Sequence, residues 1–185
     1  MAKSSPSRAR LFVALELPEA TRAQTARLVG PDDAWRLVSP ASLHVTLVFL
    51  GWRAEEEIEP IGALTARAAA GVGPIALVPT EVRVVPPRRP RLFALDLDDP
   101  VGTCGELQGA VSAALAGVGL YEAEKRPFWP HVTLARVRRG HRVSMPSGVG
   151  SPPPAFEADR VVLYRSTLHP KGSVYEPLQA FTLEK

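Results

Sequence analysis

The 185-residue chain has a single cysteine, Cys104. No intramolecular disulfide can form, which excludes a disulfide-stapled extracellular scaffold. The chain has no apolar run near the roughly 20 residues that a membrane-spanning helix needs. Its first ten residues, MAKSSPSRAR, lack the apolar centre of a secretory signal. The charge imbalance is small: +3 at pH 7, with a pI near 9.3. That permits an anionic partner without requiring one. Histidine is scarce too, at four residues, and no spaced cysteines or acidic ligands accompany the histidines as a zinc site would need. These absences lead us to expect a cytoplasmic protein with no membrane segment, no metal or other cofactor and no obligatory protein partner.

Two of the four histidines lie in the same tetrapeptide. HVTL occurs as His44-Val45-Thr46-Leu47 and again as His131-Val132-Thr133-Leu134. From the residue frequencies, a second copy arises by chance only on the order of a few times in a thousand, so an internal duplication is the better explanation. The flanks agree. Leu11-Phe12-Val13-Ala14-Leu15-Glu16-Leu17 precedes the first copy, and Leu92-Phe93-Ala94-Leu95-Asp96-Leu97, one residue shorter, precedes the second. Both copies are rich in β-branched residues and lie near turn formers, Gly51 and Pro130, so they read as strands. Alternation along a strand puts His44 and Thr46 on one face and Val45, Leu47 and Phe49 on the other. It likewise separates His131 and Thr133 from Val132, Leu134 and Arg136.

The rest of the chain reads as helices mixed with short strands, an α+β pattern. Residues 1–9 are expected as a disordered tail, and 10–185 as a single domain of two pseudo-symmetric halves. Strands are expected at 10–17, 35–38, 42–50, 75–78, 81–85, 91–97, 130–137, 158–167 and 175–183. One helix follows Pro18 and ends before Gly30, and another spans 54–70 behind an acidic run. A third begins at Pro100, capped by Asp99, with an apolar stripe of Val101, Cys104, Leu107, Val111 and Leu115. A stiff basic loop, 86–91, precedes the second half, and 144–154 is a further loop.

Two histidines in similar settings match a general acid–base pair, because imidazole titrates near neutrality. A nearby threonine hydroxyl can donate to a phosphoryl oxygen. Displacement at phosphorus needs a base, an acid and donors for the equatorial oxygens, and two His-x-Thr pairs supply all three. One such motif on a strand would more often hold a structural histidine; two in duplicated settings point to function. Arg136 either pairs with phosphate or, by strand parity, snorkels from the core side. Arg88, Arg89 and Arg91 are candidates to track an RNA backbone, against a plain solvated turn. Phe12, Phe49, Phe128 and Trp129 could stack a base, Phe128 and Trp129 being the best placed, while core packing is the alternative. His141 and His169 lie in loop-like stretches and read as surface residues.

These motifs resemble the two-histidine phosphoesterase superfamily, and within it the bacterial and archaeal RNA 2',3'-cyclic phosphodiesterases, once called 2'-5' RNA ligases. The resemblance spans nearly the whole chain. It rests on Arg10-Leu11-Phe12-Val13-Ala14, on Leu43-His44-Val45-Thr46-Leu47 with Phe49-Leu50-Gly51, and on Arg89-Pro90-Arg91. It continues through Pro130-His131-Val132-Thr133-Leu134-Ala135-Arg136, Tyr164-Arg165-Ser166 and Tyr175-Glu176-Pro177-Leu178. It implies a bilobal fold with two antiparallel sheets facing a central cleft, helices outside, and no metal. It also implies His44 as proton donor, His131 as proton acceptor, Thr46 and Thr133 on the phosphate, and a 2'-phosphate product from RNA ending in a 2',3'-cyclic phosphate. His169 stands where the family pattern has glycine in a turn. The alternatives are a phosphodiesterase for small cyclic nucleotides and a non-catalytic RNA-binding module.

Overall fold

A computed structural model describes residues 7–169 and 172–185. The β-branched and apolar segments form nine strands: β1 (Arg8–Glu16), β2 (Trp35–Leu37), β3 (His44–Ala54), β4 (Ile75–Val85), β5 (Leu92–Asp98), β6 (His131–Val137), β7 (Phe156–Ala158), β8 (Arg160–His169) and β9 (Gly172–Thr182). Among the described residues the α-helices are α1 (Glu19–Thr25), α2 (Ile58–Ala69) and α3 (Thr103–Gly117). The strands run in the order β7-β4-β5-β6-β3-β1-β8-β9, with β2 also on β6. Every pairing is antiparallel.

Two half-sheets meet at one place. Between β3 and β6 the only Cα partners are Val45 and Val132, one from each HVTL copy. The duplication thus abuts itself at the centre of the molecule. The halves are not contiguous in sequence: β8 and β9 complete the sheet that begins with β1 and β3, and β2 joins the other.

The buried faces of both half-sheets share one core. Leu11, Val13, Leu15, Val45, Leu47, Leu95, Val132 and Leu134 pack with Ile61 of α2 and with Leu107, Val111 and Leu115 of α3. Burying each such side chain contributes roughly 1.5–3 kcal/mol before entropy is counted. α2 and α3 pack on each other, α2 against β8 and β9, and α3 against β3 and β4.

Several expected boundaries move. The tail was expected to reach residue 9, but Arg8 and Ala9 pair with Ala54 and Arg53 in β1, and Arg8 Nη2 donates to the Trp52 carbonyl at 2.9 Å. Residues 1–6 of that tail lie outside the described residues. The two strands expected at 75–78 and 81–85 are one, bent by an irregularity between Pro79 and Val82, where a proline is tolerated. α3 starts at Thr103 rather than Pro100, because Gly102 adopts φ 83° and breaks any earlier turn. Gly102, not Asp99, is its N-cap; the Asp99 carboxylate reaches the helix start from three residues upstream, accepting hydrogen bonds from Gly102 N at 3.1 Å and Gly105 N at 2.9 Å. Val101 drops out of the apolar stripe and is 74% exposed. His169 is exposed, as expected, but it closes β8 opposite Gly172 instead of lying in a loop.

Candidate active site

Each HVTL copy carries a bulge at its leucine. Val13 pairs with Val48 and Ala14 with Thr46, which leaves Leu47 as the extra residue. Phe93 pairs with Ala135 and Ala94 with Thr133, which leaves Leu134 extra in the same way. The bulge turns two successive residues inward: Leu47 and Val48 are both buried, as are Leu134 and Ala135. It then reverses the alternation, so the next residue emerges on the histidine face. Phe49 and Arg136 are those residues. Simple parity had placed both on the core side; both are exposed, and both line a cavity of about 440 Å³ with His44, Thr46, Arg10, Phe12, Ser166 and Tyr175.

The two imidazoles are anchored alike. His44 Nδ1 lies 2.7 Å from the Ser42 carbonyl oxygen, and His131 Nδ1 lies 2.8 Å from that of Trp129. A carbonyl can only accept, so each Nδ1 carries the hydrogen and each Nε2 is left for chemistry. The His44 Nε2 lies 3.1 Å from Thr46 Oγ1, which donates to it when the ring is neutral. Thr133 occupies the matching place in the second copy, opposite Ala94 as Thr46 is opposite Ala14.

The two rings have unlike surroundings. Phe12 and Tyr175 pack on His44 at centroid distances of 4.8 and 5.2 Å. Burial pushes the His44 imidazole down to about 4; the Ser42 hydrogen bond opposes this, and positive charge on Arg136 and His131 adds to it. His131 instead stacks on the Trp129 indole, with centroids 4.0 Å apart and planes 14° apart. Burial lowers its pKa as well, against the Trp129 hydrogen bond and the negative charge of Asp96. Trp129 is thus engaged on one ring face by the catalytic candidate itself. It also borders a second cavity, of about 570 Å³, with Phe128, His131, Leu92 and Tyr121. Thr46 and Phe49 line both cavities and join them.

Asp96 did not stand out among the sequence candidates. It pairs with His131 across β5 and β6, accepts from Trp129 Nε1 at 3.1 Å, and binds Arg83 Nε through its other oxygen at 2.6 Å. Burial raises its pKa, and Arg83 and Trp129 oppose that. Its signal was present in the repeat, where Asp96 matches Glu16, the residue opposite His44. Arg10 was likewise not singled out; its guanidinium lies 4.5 Å over the Phe49 ring and donates to Ser166 Oγ at 2.9 Å. Arg89 lines a separate groove with His141 and Arg142, and Arg91 is exposed beside it, so neither borders the two cavities at the histidines.

Among the described residues, no group of three or more His, Cys, Asp or Glu side chains is arranged to hold a metal ion. Cys104 is buried in the core, its thiol pushed up to about 12, which leaves it unreactive. No helix among the described residues is long and apolar enough to cross a membrane.

Comparison with known proteins agrees with this geometry. An RNA 2',3'-cyclic phosphodiesterase from Thermus thermophilus is 34% identical over 197 residues, covering 94% of this chain and 90% of the relative. One from Escherichia coli is 28% identical, covering 94% and 96%. The crystal structure of TT0787 from Thermus thermophilus superposes with a TM-score of 0.78 at 31% identity, over 94% of this chain and 97% of that one. Apo LigT from Escherichia coli superposes with a TM-score of 0.77 at 26% identity, over 98% and 100%. Since the family model for the 2'-5' RNA ligase superfamily also matches residues 16–170, through both HVTL strands, the chain belongs to that superfamily.

Proposed function

We propose that the protein is an RNA 2',3'-cyclic phosphodiesterase, which opens the terminal cyclic phosphate of an RNA by metal-independent acid–base catalysis. The observation that carries this is the paired anchoring of His44 and His131. Each ring is held through Nδ1 by the carbonyl two residues earlier, which leaves Nε2 for proton transfer; that of His44 lies 3.1 Å from Thr46 Oγ1. Two relatives named for this activity each align over 94% of the chain.

In this reading His131 Nε2 takes a proton from water as its oxygen bonds to phosphorus. The bond from phosphorus to the ribose 3'-oxygen breaks, and His44 Nε2 gives that oxygen a proton. The product is a 2'-phosphate with a free 3'-hydroxyl. Thr46, Thr133 and Arg136 hold the non-bridging oxygens, where a charge-assisted donor stabilises the crowded, more negative transition state. Phe128 and Trp129 flank the terminal nucleoside from the second cavity.

His44 must start protonated, yet its neighbours disfavour that form. The anionic phosphodiester supplies the missing negative charge, so substrate binding and proton uptake at His44 are coupled. We further infer that the chain from the start of β1 at Arg8 onward acts as one bilobal domain in the cytoplasm, without an obligatory protein partner. Purified protein should convert an oligoribonucleotide ending in a 2',3'-cyclic phosphate in the presence of EDTA. Binding without turnover would leave only the RNA-binding module; turnover abolished by EDTA would refute the metal-free mechanism.

A further inference from the structure

The weak positive charge of this chain is concentrated in one place. Residues 86–91 and 134–156 contain seven arginines, Arg88, Arg89, Arg91, Arg136, Arg138, Arg139 and Arg142, and no Asp or Glu. With these seven set aside, 15 of the 22 Lys and Arg remain against 19 Asp and Glu, so the rest of the protein is net negative.

The fold joins the two segments. Arg91 N donates to the Val85 carbonyl at 2.8 Å, and Val137 N donates to the Arg91 carbonyl at 2.8 Å. The start of β5 is thereby clamped between the ends of β4 and β6. Beyond β6 the chain turns tightly, with His141 N donating to the Arg138 carbonyl at 3.2 Å. Arg88, Arg89, Pro90, Gly140, His141, Arg142 and Val143 then line a groove of about 660 Å³. The acidic pair Asp32 and Asp33 precedes Ala34 in sequence, whose carbonyl accepts from Arg138 N at 2.8 Å.

All seven arginines are exposed. Among the described residues, none of them forms an ion pair within 4.0 Å, whereas Arg22, Arg83, Arg126, Arg160 and Arg165 all do. Seven like charges held together without counter-ions repel one another, and the arrangement favours a polyanion. The strip also has a direction. Arg136 borders the His44 cavity near the end of β6, and Arg138 and Arg139, just past that end, lead on towards the groove lined by Arg88, Arg89 and Arg142.

We propose that this strip is the binding track for the body of a single-stranded RNA whose cyclic-phosphate end lies at the histidines. The proposal rests on the phosphodiesterase reading. β6 spans about 20 Å from His131 to Val137 at ~3.3 Å per strand residue, and the groove at Gly140 to Val143 lies beyond its end. A stacked single strand spends ~3.4 Å per phosphate, so at least about six nucleotides separate the scissile phosphate from the groove. Mononucleotides and dinucleotides do not reach it; chains longer than about six do.

The test uses the triple variant Arg88→Ser, Arg139→Ser, Arg142→Ser and a series of cyclic-phosphate substrates of 1, 2, 4, 8 and 12 nucleotides. Wild-type KM should fall with length up to about eight nucleotides. The variant should match wild type on the mononucleotide and show a KM at least about 10-fold higher on the 12-mer. In fluorescence anisotropy with a 5'-labelled 12-mer, the slope of log Kd against log salt should shrink by about 2, near 0.7 for each lost single-strand contact. Equal kinetics at every length would overturn the track and leave a solvated basic face. Equal losses at every length, with an unchanged thermal transition, would place these arginines in the chemistry and overturn it too. Tighter binding of a duplex than of the single strand would overturn the single-stranded assignment. If no length is hydrolysed, the phosphodiesterase reading fails, while the anisotropy still decides whether the strip binds RNA.

Discussion

Replacing His44 by glutamine tests the environment on which the acid–base reading depends. The His44 ring is enclosed by Phe12, Tyr164 and Tyr175, and the nearby charges, Arg136 and His131, are both positive. Its pKa falls from 6.5 to about 4. The unfolded chain therefore takes up a proton near 6.5, and the folded chain only near 4. Between those values the unfolded state binds more protons, so folding stability is full above pH 6.5 and declines as pH falls towards 4. At 1.36 kcal/mol per unit, the loss is at most about 3 kcal/mol, and less to the extent that the Nε2 edge meets solvent. His131 adds a loss of the same sign, and Asp96, whose folded pKa is raised, acts oppositely. Both remain in the variant, and the comparison cancels them. Glutamine can still donate to the Ser42 carbonyl. Urea unfolding followed by tryptophan fluorescence, at pH 7.5 and at steps down to pH 4, should show wild type losing up to about 3 kcal/mol more than H44Q. Parallel stability curves would refute the buried, neutral His44 and the substrate-coupled protonation built on it.

Further outcomes follow from the site. The pH profile of kcat/KM should be bell-shaped with its maximum below pH 6.5, because both imidazole pKa values are lowered, and the kcat profile should lie at higher pH once the phosphate charge is bound; His44→Ala or His131→Ala should cost about 10²–10⁴ in rate, and near-normal turnover in a folded variant would end the acid–base assignment. Thr46→Val and Thr133→Val should cost less than either histidine and leave both limbs of the bell, which steady-state rates across pH will check. Asp96→Asn removes a charge that raises the His131 pKa, so the kinetic limb due to His131 should move to lower pH, and an unmoved limb would separate Asp96 from the base. Chromatography of hydrolysed adenosine 2',3'-cyclic phosphate should give the 2'-phosphate, and mainly 3'-phosphate would exchange the leaving oxygen.

The site's chemical inventory was legible in the chain itself. HVTL repeated in matched flanks marked His44, Thr46, His131 and Thr133, and two-residue alternation put each His with its Thr, because side-chain direction along a strand is a local property. Helix positions were legible to within about four residues, because capping and apolar periodicity are local too: α1 stops at Thr25, α2 starts at Ile58, and the left-handed Gly102 delays α3 to Thr103. What lies on the other side of a bulge was not legible. Leu47 and Leu134 become extra residues only through their register with β1 and β5, so Phe49 and Arg136 could be assigned to the cleft only from the assembled sheet. The meeting of Val45 with Val132, the exchange of β2 and β8–β9 between the halves, and the Asp96–Trp129–His131 stack are likewise contacts between distant segments. They also give the two histidines of one repeated tetrapeptide different environments. Residue type and spacing determined which groups could act; long-range pairing decided which of them share a cleft and what each imidazole's neighbours do to its charge.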